Sequence, residues 1–461
     1  MLGIFTYASG QIVNPSVQGQ VTQLEEITVE GAKSKTNDVA FSLPTVNSSR
    51  QNTTNLGNLL NDELGISSTA FGNNASRPII RGVSGSRLPI LQNGMGSADL
   101  SSLSNDHAVS VDPVFLQKIQ VLRGSEALRF AGASTAGLIT LDNQRITDEL
   151  NPTPYVELQS QYNFQNQGYV AGLLTDGSVG QWALHFDGVK KSSNNYLRPD
   201  GQSQNYSSSQ LSDFGIGATY HHDQNFTGVS YSQYQNFYGI PSPEGSFIDM
   251  TQKRLDLVHV AKSPNTAIAQ LDMKYSYTDY QHTEQTVNYI PQTFFSNKIH
   301  QVRLEAFHEP YANWQGSFGL QLSSGQFSAV DLTNLTKSVA VIPATKTDTV
   351  GLFLVEKTSW NEFDIRSGIR LENVSINPEN SIPYSDQPNF SNGATFKTPT
   401  RTSSQSQLLS SSLSAFWNYS PGYQTGLTIQ LAQRSPSVDE LFSYGNHDSS
   451  GTFDIGNSSL S

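Results

Sequence analysis

From Tyr155 to Gln433 the chain runs as a series of segments in which side chains alternate between apolar and polar. The connections between these segments alternate between short and long. In "QLDMKYSY", Leu271, Met273 and Tyr275 fall on one side and Asp272, Lys274 and Ser276 on the other, the period of two expected of a strand with two different faces. About thirteen such segments can be marked: Tyr155–Tyr162, Gly168–Thr175, Gln181–Val189, Ser212–Tyr220, Asn225–Gln235, Arg254–Lys262, Ala267–Tyr277, Asn297–His308, Asn313–Ser323, Asp348–Ser359, Asn361–Val374, Gln407–Tyr419 and Gln424–Gln433. The short connections are "DGSVG", "HHDQ", "SPNT", "EPYA", the Trp360 junction and "SPGY". The long ones include 190–211, 236–253, 278–296, 324–347 and 375–406. A soluble sandwich has no reason to keep such a rhythm. An up-and-down barrel in a membrane does, with tight turns on one side and long loops on the other.

Composition agrees with this constraint. Hydrophobic residues make up 36% and charged residues 14%, while Tyr and Phe number 19 and 23. No run approaches the ~20 apolar residues of a membrane helix. The net charge of -12 argues against a nucleic-acid partner and suits a cationic ligand. With no cysteine there is neither a disulfide nor a thiolate metal site, and no clue to the redox compartment. The first ten residues hold a short apolar stretch without a basic region before it, so no full secretory signal is visible.

Residues 1–50 read as a flexible polar segment interrupted by "LEEITVEG", Leu24–Gly31. An extended segment of this kind can add as a strand to a partner's sheet or form a local strand of its own domain. Residues 51–146 read as a compact α/β domain. Leu56, Leu59, Leu60 and Leu64 have helical spacing, Asn93-Gly94 signals a hairpin, and Ile119–Leu122 reads as a strand. Asp112-Pro113 has the form of a helix start with Asp112 as cap. Residues 147–461 are the barrel. An odd strand count cannot close a single-chain bacterial barrel, so the chain is expected to stop partway round a larger one, of the 22-strand type that holds a plug in its lumen.

Several stretches resemble the TonB-dependent outer-membrane receptors of bacteria. "LEEITVEG" is similar to a TonB box, and the sequence from Arg77 through "LSNDHAVSVDP" to Ile139 resembles the plug. The Asp-His pair in that stretch is similar to the zinc-uptake branch. "YGIP" at Tyr238, "DYQHTE" at Asp279 and "QRSPSVDELFSYGNHDSSGTFDIGNSSL" at Gln433 resemble its barrel segments. The resemblance implies an all-β transmembrane barrel with an N-terminal α/β plug, in the outer membrane, with no enzymatic activity and no prosthetic group. It implies Zn²⁺ as transported ligand, the periplasmic domain of TonB (of the TonB–ExbB–ExbD complex) as partner at Glu25, Glu26, Ile27, Thr28 and Val29, and outer-membrane lipid around the barrel.

By the same resemblance Asp106, His107, Glu284 and His447 form the metal site, with His282 able to substitute for Glu284. Carboxylate oxygen and imidazole nitrogen are both zinc ligand types. Glu284 and His282 are expected on the outer loop 278–296. His221 and His222 read as solvated turn residues, and His185, His259, His300 and His308 as structural or lumen-lining. One departure is that the expected outer loop Tyr238–Gln252 carries no histidine, where this branch often has a His-rich stretch. The nearest rival is a haem or iron-siderophore receptor, since His447 lies between "QRSP" and "GNSSL". A haem site would use His447 without requiring Asp106. An adhesin or passive pore leaves the plug and the Glu25–Val29 segment unexplained.

Overall fold

The structure, a computed structural model, describes residues 39–44 and 55–461, apart from 62, 70, 73, 243, 334–337, 385–394, 422 and 448–450. The segment Leu24–Gly31 lies outside the described residues.

Thirteen strands form one antiparallel sheet in which each pairs with its sequence neighbours. Seven shorter strands precede them: β1 (Val39–Pro44), β2 (Ile66–Ser68), β3 (Pro78–Ile80), β4 (Ile90–Gln92), β5 (Met95–Gly96), β6 (Lys118–Leu122) and β7 (Leu138–Asp142). The large sheet comprises β8 (Tyr155–Asn163), β9 (Gly168–Val179), β10 (Trp182–Ser193), β11 (Ser209–His222), β12 (Asn225–Ile240), β13 (Ser246–Lys262), β14 (Ile268–Gln285), β15 (Pro291–His308), β16 (Trp314–Asp331), β17 (Val339–Trp360), β18 (Phe363–Pro378), β19 (Ser404–Ser420) and β20 (Tyr423–Leu431). A hairpin of β21 (Tyr444–His447) and β22 (Thr452–Ile455) follows.

Each strand of the large sheet overlaps its sequence-marked segment. The turns between β9 and β10, β11 and β12, and β17 and β18 have two residues each, with Gly180, Asp223 and Asn361 in the left-handed region. On the opposite side, several strands run further than the alternation indicated. β12 and β13 leave only 241–245 between them, and β14 and β15 only 286–290. The loops expected at 236–253 and 278–296 are therefore largely strand, and Glu284 and His282 sit on β14.

The sheet's two faces differ as a membrane barrel requires. Leu184, Phe186, Ile216, Leu257, Leu304, Leu352, Leu354 and Ile369 are exposed on the outside. His185, Asp187, Asp213, Arg254, Arg303 and Arg370 are buried on the inside. All four tryptophans, Trp182, Trp314, Trp360 and Trp417, lie at the short-turn ends of their strands. With Tyr220 against Trp182 and Phe363 stacked on Trp417 they mark one edge of the lipid band. His259 and His300 point outward, against Thr227 and Tyr275, and are not lumen-lining; His185 is.

The 55–146 domain packs on the inner face. It forms a five-stranded sheet of order β1-β6-β7-β4-β5, antiparallel except for β4 beside β7; β1 (Val39–Pro44) comes from the 1–50 segment expected to be flexible and pairs with β6. Leu60, Ile80, Ile119, Val121, Ile139 and Leu141 form its core. Asn93 and Gly94, both at positive φ, make the predicted hairpin turn between β4 and β5. Helix is scarcer than the leucine spacing suggests. α1 covers Leu56–Leu60 only, with Asn55 capping Asn58, and Leu64 is 97% exposed. No helix starts at Asp112-Pro113. Val114 and Phe115 turn to pack on Leu174 and Val189 of the barrel, and Asp112 pairs with Lys191 of β10 at 2.6 Å. α2 (Gly124–Leu128) rests against β17, β18 and β19.

Polar contacts tie this domain to the wall. The Arg129 guanidinium meets Glu305 at 2.8 Å, and Arg254 donates to the carbonyls of Gly96 and Gln92. Arg145 makes a two-point contact with Asp187 at 2.6 and 2.7 Å.

Candidate metal centre

The loop between β5 and β6 carries Asp106 and His107 to the long-loop end of the barrel. Its base is pinned by Arg77, which donates to the Ser101 carbonyl and to Asn105. Asp99 accepts from the backbone N–H groups of Ser101 and Ser110. The Tyr238 hydroxyl then clamps the Asp-His pair to the wall, accepting from the Ala108 N–H and donating to the Asp106 carbonyl, both at 2.9 Å.

Glu284 comes from β14. Strand alternation points Tyr280, His282 and Glu284 to the inside together. His447 comes from the β21–β22 hairpin, which follows α3 (Val438–Phe442). Ser437 and Glu440 close a capping box on α3, and Arg434 holds Glu440 at 2.6 Å. Leu441 and Phe442 bury against Val374 and Ile376 of the barrel wall, which draws the hairpin into the lumen.

The four side chains named from the sequence therefore meet. His447 Nε2 is 3.1 Å from Glu284 Oε1 and 3.5 Å from Asp106 Oδ2. His107 Nε2 is 3.4 Å from Glu284 Oε1 and 3.8 Å from Asp106 Oδ2. One ligand atom from each of the four lies within 4.8 Å of the others. A tetrahedral ion with nitrogen and oxygen ligands at ~2.0–2.2 Å needs ligand atoms separated by about 3.3–3.6 Å. The four nitrogen–oxygen spacings bracket that range.

Both histidines are oriented from behind. His107 Nδ1 lies 3.1 Å from the Leu100 carbonyl, and His447 Nδ1 lies 3.2 Å from Asp454 of β22. With the Nδ1 proton donated to these acceptors, each Nε2 faces the centre and can offer a lone pair there once it carries no proton, the arrangement found behind metal-bound histidines. Sequence reading missed Asp454. Gly451 at positive φ and the pairing of His447 with Thr452 put Asp454 diagonally across the hairpin on the same face.

All four candidate ligands are buried, and Asp106 Oδ2 and Glu284 Oε2 have no hydrogen-bond donor among the described residues. Two such carboxylates need a positive charge between them. Burial by itself would raise the Asp106 carboxyl, but His107 and His447 reverse this and hold it well below the usual carboxylate range. Burial would lower His447; Glu284, Asp106 and Asp454 instead keep it protonated well above the ordinary histidine range. A proton on His447 thus balances the charge where a divalent cation would otherwise do so.

A family model described as "TonB-dependent Receptor Plug Domain" matches residues 15–138, and one described as "TonB dependent receptor-like, beta-barrel" matches residues 129–461. The chain belongs to the TonB-dependent receptors. Its barrel is thus of the outer-membrane kind, its inner domain is the plug, and receptors of this family are transporters and not enzymes.

Among solved structures, the chain is similar to the copper transporter OprC, at 16% identity over 86% of this chain and 64% of that one, with a TM-score of 0.74. It is similar to the FrpB iron transporter from Neisseria meningitidis (13%, 87% and 66%, TM-score 0.68). It is also similar to a double mutant of the Serratia marcescens hemophore receptor HasR in complex with hemophore HasA and heme (13%, 91% and 67%, TM-score 0.74). The chain therefore spans about two thirds of the length of these receptors, and the likeness is one of fold.

Proposed function

We propose that this receptor binds zinc, or a closely similar divalent metal, at Asp106, His107, Glu284 and His447 and passes it to the periplasm. The observation that carries the reading is the buried pair of carboxylates and pair of Nε2 atoms at tetrahedral spacing. Two nitrogens and two oxygens without thiolate suit zinc and leave related divalent metals open. The ligands belong to three separate pieces: the plug loop, β14 and the β21–β22 hairpin. Drawing the plug away from the wall removes Asp106 and His107 together. That leaves two of the four ligands, which loosens the hold on the ion.

Movement against a gradient needs energy. We place its input at Glu25, Glu26, Ile27, Thr28 and Val29, which would pair as an added strand with the periplasmic domain of TonB. The haem reading finds less support. Among the described residues His447 is hemmed in by the carboxylates of Asp106, Glu284 and Asp454, a charged setting unlike the apolar walls a porphyrin needs.

The test is a zinc titration of the receptor in detergent against a chelator of known affinity, with Asp106→Ala and His447→Ala beside it. Both substitutions should weaken zinc binding. Unchanged zinc affinity in Asp106→Ala, with haem binding lost in His447→Ala, would overturn the zinc site in favour of haem.

A further inference from the structure

A third histidine borders the centre and is not one of its four ligands. His282 lies two residues from Glu284 on β14 and is 1% exposed. Its ring centroid is 4.4 Å from that of His107, edge to face, and its other face stacks on Phe295 at 4.3 Å. Its Nδ1 lies 2.9 Å from the Tyr280 hydroxyl. Its Nε2 has no hydrogen-bond partner among the described residues.

His107, His447 and His282 thus share one pattern. In each, Nδ1 is engaged by a fixed outer group: the Leu100 carbonyl and Asp454, which accept, and the Tyr280 hydroxyl, which leaves His282 Nε2 bare when it accepts from Nδ1–H. In two of them Nε2 faces the carboxylates, and in the third it is buried with nothing to bond. A packing histidine has no need of an orphaned ring nitrogen, and its burial carries a cost that Phe at the same place would not. An imidazole held at Nδ1 with a bare Nε2 is the form that takes a metal.

Resting on the zinc reading above, we propose that His282 is the barrel's own replacement for His107. When the plug loop withdraws, taking His107 and Asp106 with it, His282 takes up the ion beside Glu284 and His447. The transported metal then passes through a three-ligand state of two imidazoles and one carboxylate, held by barrel and hairpin alone. His282 already points inward, so side-chain rotation alone moves it, with no change in strand register. No bond is made or broken other than metal–ligand bonds.

The test compares zinc affinities of four receptors: the unaltered chain, His282→Phe, His107→Ala and His107→Ala/His282→Phe. Phe keeps the stack on Phe295, and His282→Gln serves as a second variant should Phe perturb the fold. His282→Phe alone should stay within about threefold of the parent, and His107→Ala should lose only about tenfold, as little as loss of an outer-shell partner, because His282 stands in for the lost ligand. The double variant should lose about a further hundredfold. Co²⁺ in His107→Ala should keep intense tetrahedral visible bands that the double variant loses, a readout that a packing role would not move. Equal affinity and equal Co²⁺ spectra in His107→Ala and the double variant overturn the role of His282 while leaving the four-ligand site intact. A parent that binds no zinc overturns both.

Discussion

His447 Nε2 sits 3.1 Å from Glu284 Oε1, which joins a hairpin drawn into the lumen to a strand of the barrel wall. Asp106 of the plug lies 3.5 Å from the same His447 nitrogen. Three separate pieces of chain converge on one point. An ion held there would add a further link to the direct contacts that already join plug, wall and hairpin.

Removing the charge of Glu284 while keeping its shape isolates this contribution. Glu284→Gln should weaken zinc binding by more than the ~10–100-fold that loss of an outer-shell partner costs. Haem binding, if any, should not change. Isothermal titration with each ligand checks both arms.

Asp454 is not one of the four candidate ligands; it lies behind His447, where it would act by aiming the ring. Asp454→Asn keeps a hydrogen-bond acceptor but removes the charge that favours the required tautomer. It should lower zinc affinity about 10–100-fold with the fold intact. An affinity equal to the parent's would show that the 3.2 Å contact does not set the ring.

The large sheet was legible because lipid makes one face apolar and the polar lumen makes the other wet, so strands crossing the bilayer read as clean alternation. The outer ends of β13, β14, β15 and β17 were not legible for the converse reason. Beyond the lipid band both faces are polar: on β14, Asp279, Gln281 and Thr283 point out while Tyr280, His282 and Glu284 point in. Period two survives in the backbone but not in hydropathy, so Glu284 was assigned to a loop. The plug's Asp112-Pro113 misled for a different reason. Its capping chemistry is real, since Asp112 accepts from the Val114 N–H at 2.9 Å, but packing of Val114 and Phe115 on the barrel overrode the helix. The candidate ligands came from resemblance to a family. Nothing in the spacing of residues 106, 284 and 447 could have brought them together.

The contact of Arg145 with Asp187, whose carboxylate also bonds to His185, fastens the end of the plug to β10. Breaking one side of a buried pair leaves an uncompensated charge and costs about 3–5 kcal/mol. Asp187→Leu should therefore lower the urea midpoint of the folded receptor markedly. Arg145→Met/Asp187→Leu should recover only part of the loss: apolar groups replace the pair at little cost, but Asp213, 3.5 Å from the Arg145 guanidinium, is left buried without its cation. Equal loss in the single and double variants would mean that the pair matters only through shape.

Energy coupling can be separated from binding. Proline at Ile27 removes a backbone donor that an added strand would need. Ile27→Pro should abolish zinc accumulation in cells while zinc affinity of the purified receptor stays at the parent's value. Undiminished uptake would remove Glu25–Val29 from the transport mechanism.

The pH dependence follows from which protons the centre holds. Its neighbours raise His447 well above the ordinary histidine range and depress Asp106 well below the carboxylate range. At neutral pH the metal-free site therefore keeps a proton on His447 and none on Asp106. For the metal-free receptor the raised His447 contributes stability that is fully present below the unfolded histidine value of about 6.5 and is lost as pH rises through the folded value. Asp106 contributes stability above the unfolded carboxylate value of about 3.9, lost only in strong acid. Zinc inverts the first of these, because it binds His447 only after the proton leaves. The melting temperature of the metal-free receptor should fall as pH is raised from about 6.5 to 8.5, whereas the upward shift caused by zinc should grow over the same range. Proton release on binding, read from titrations in two buffers of different ionisation enthalpy at neutral pH, should be close to one and should vanish in His447→Gln. A zinc shift that does not vary with pH, or proton release that survives in His447→Gln, would remove His447 from the ligand set.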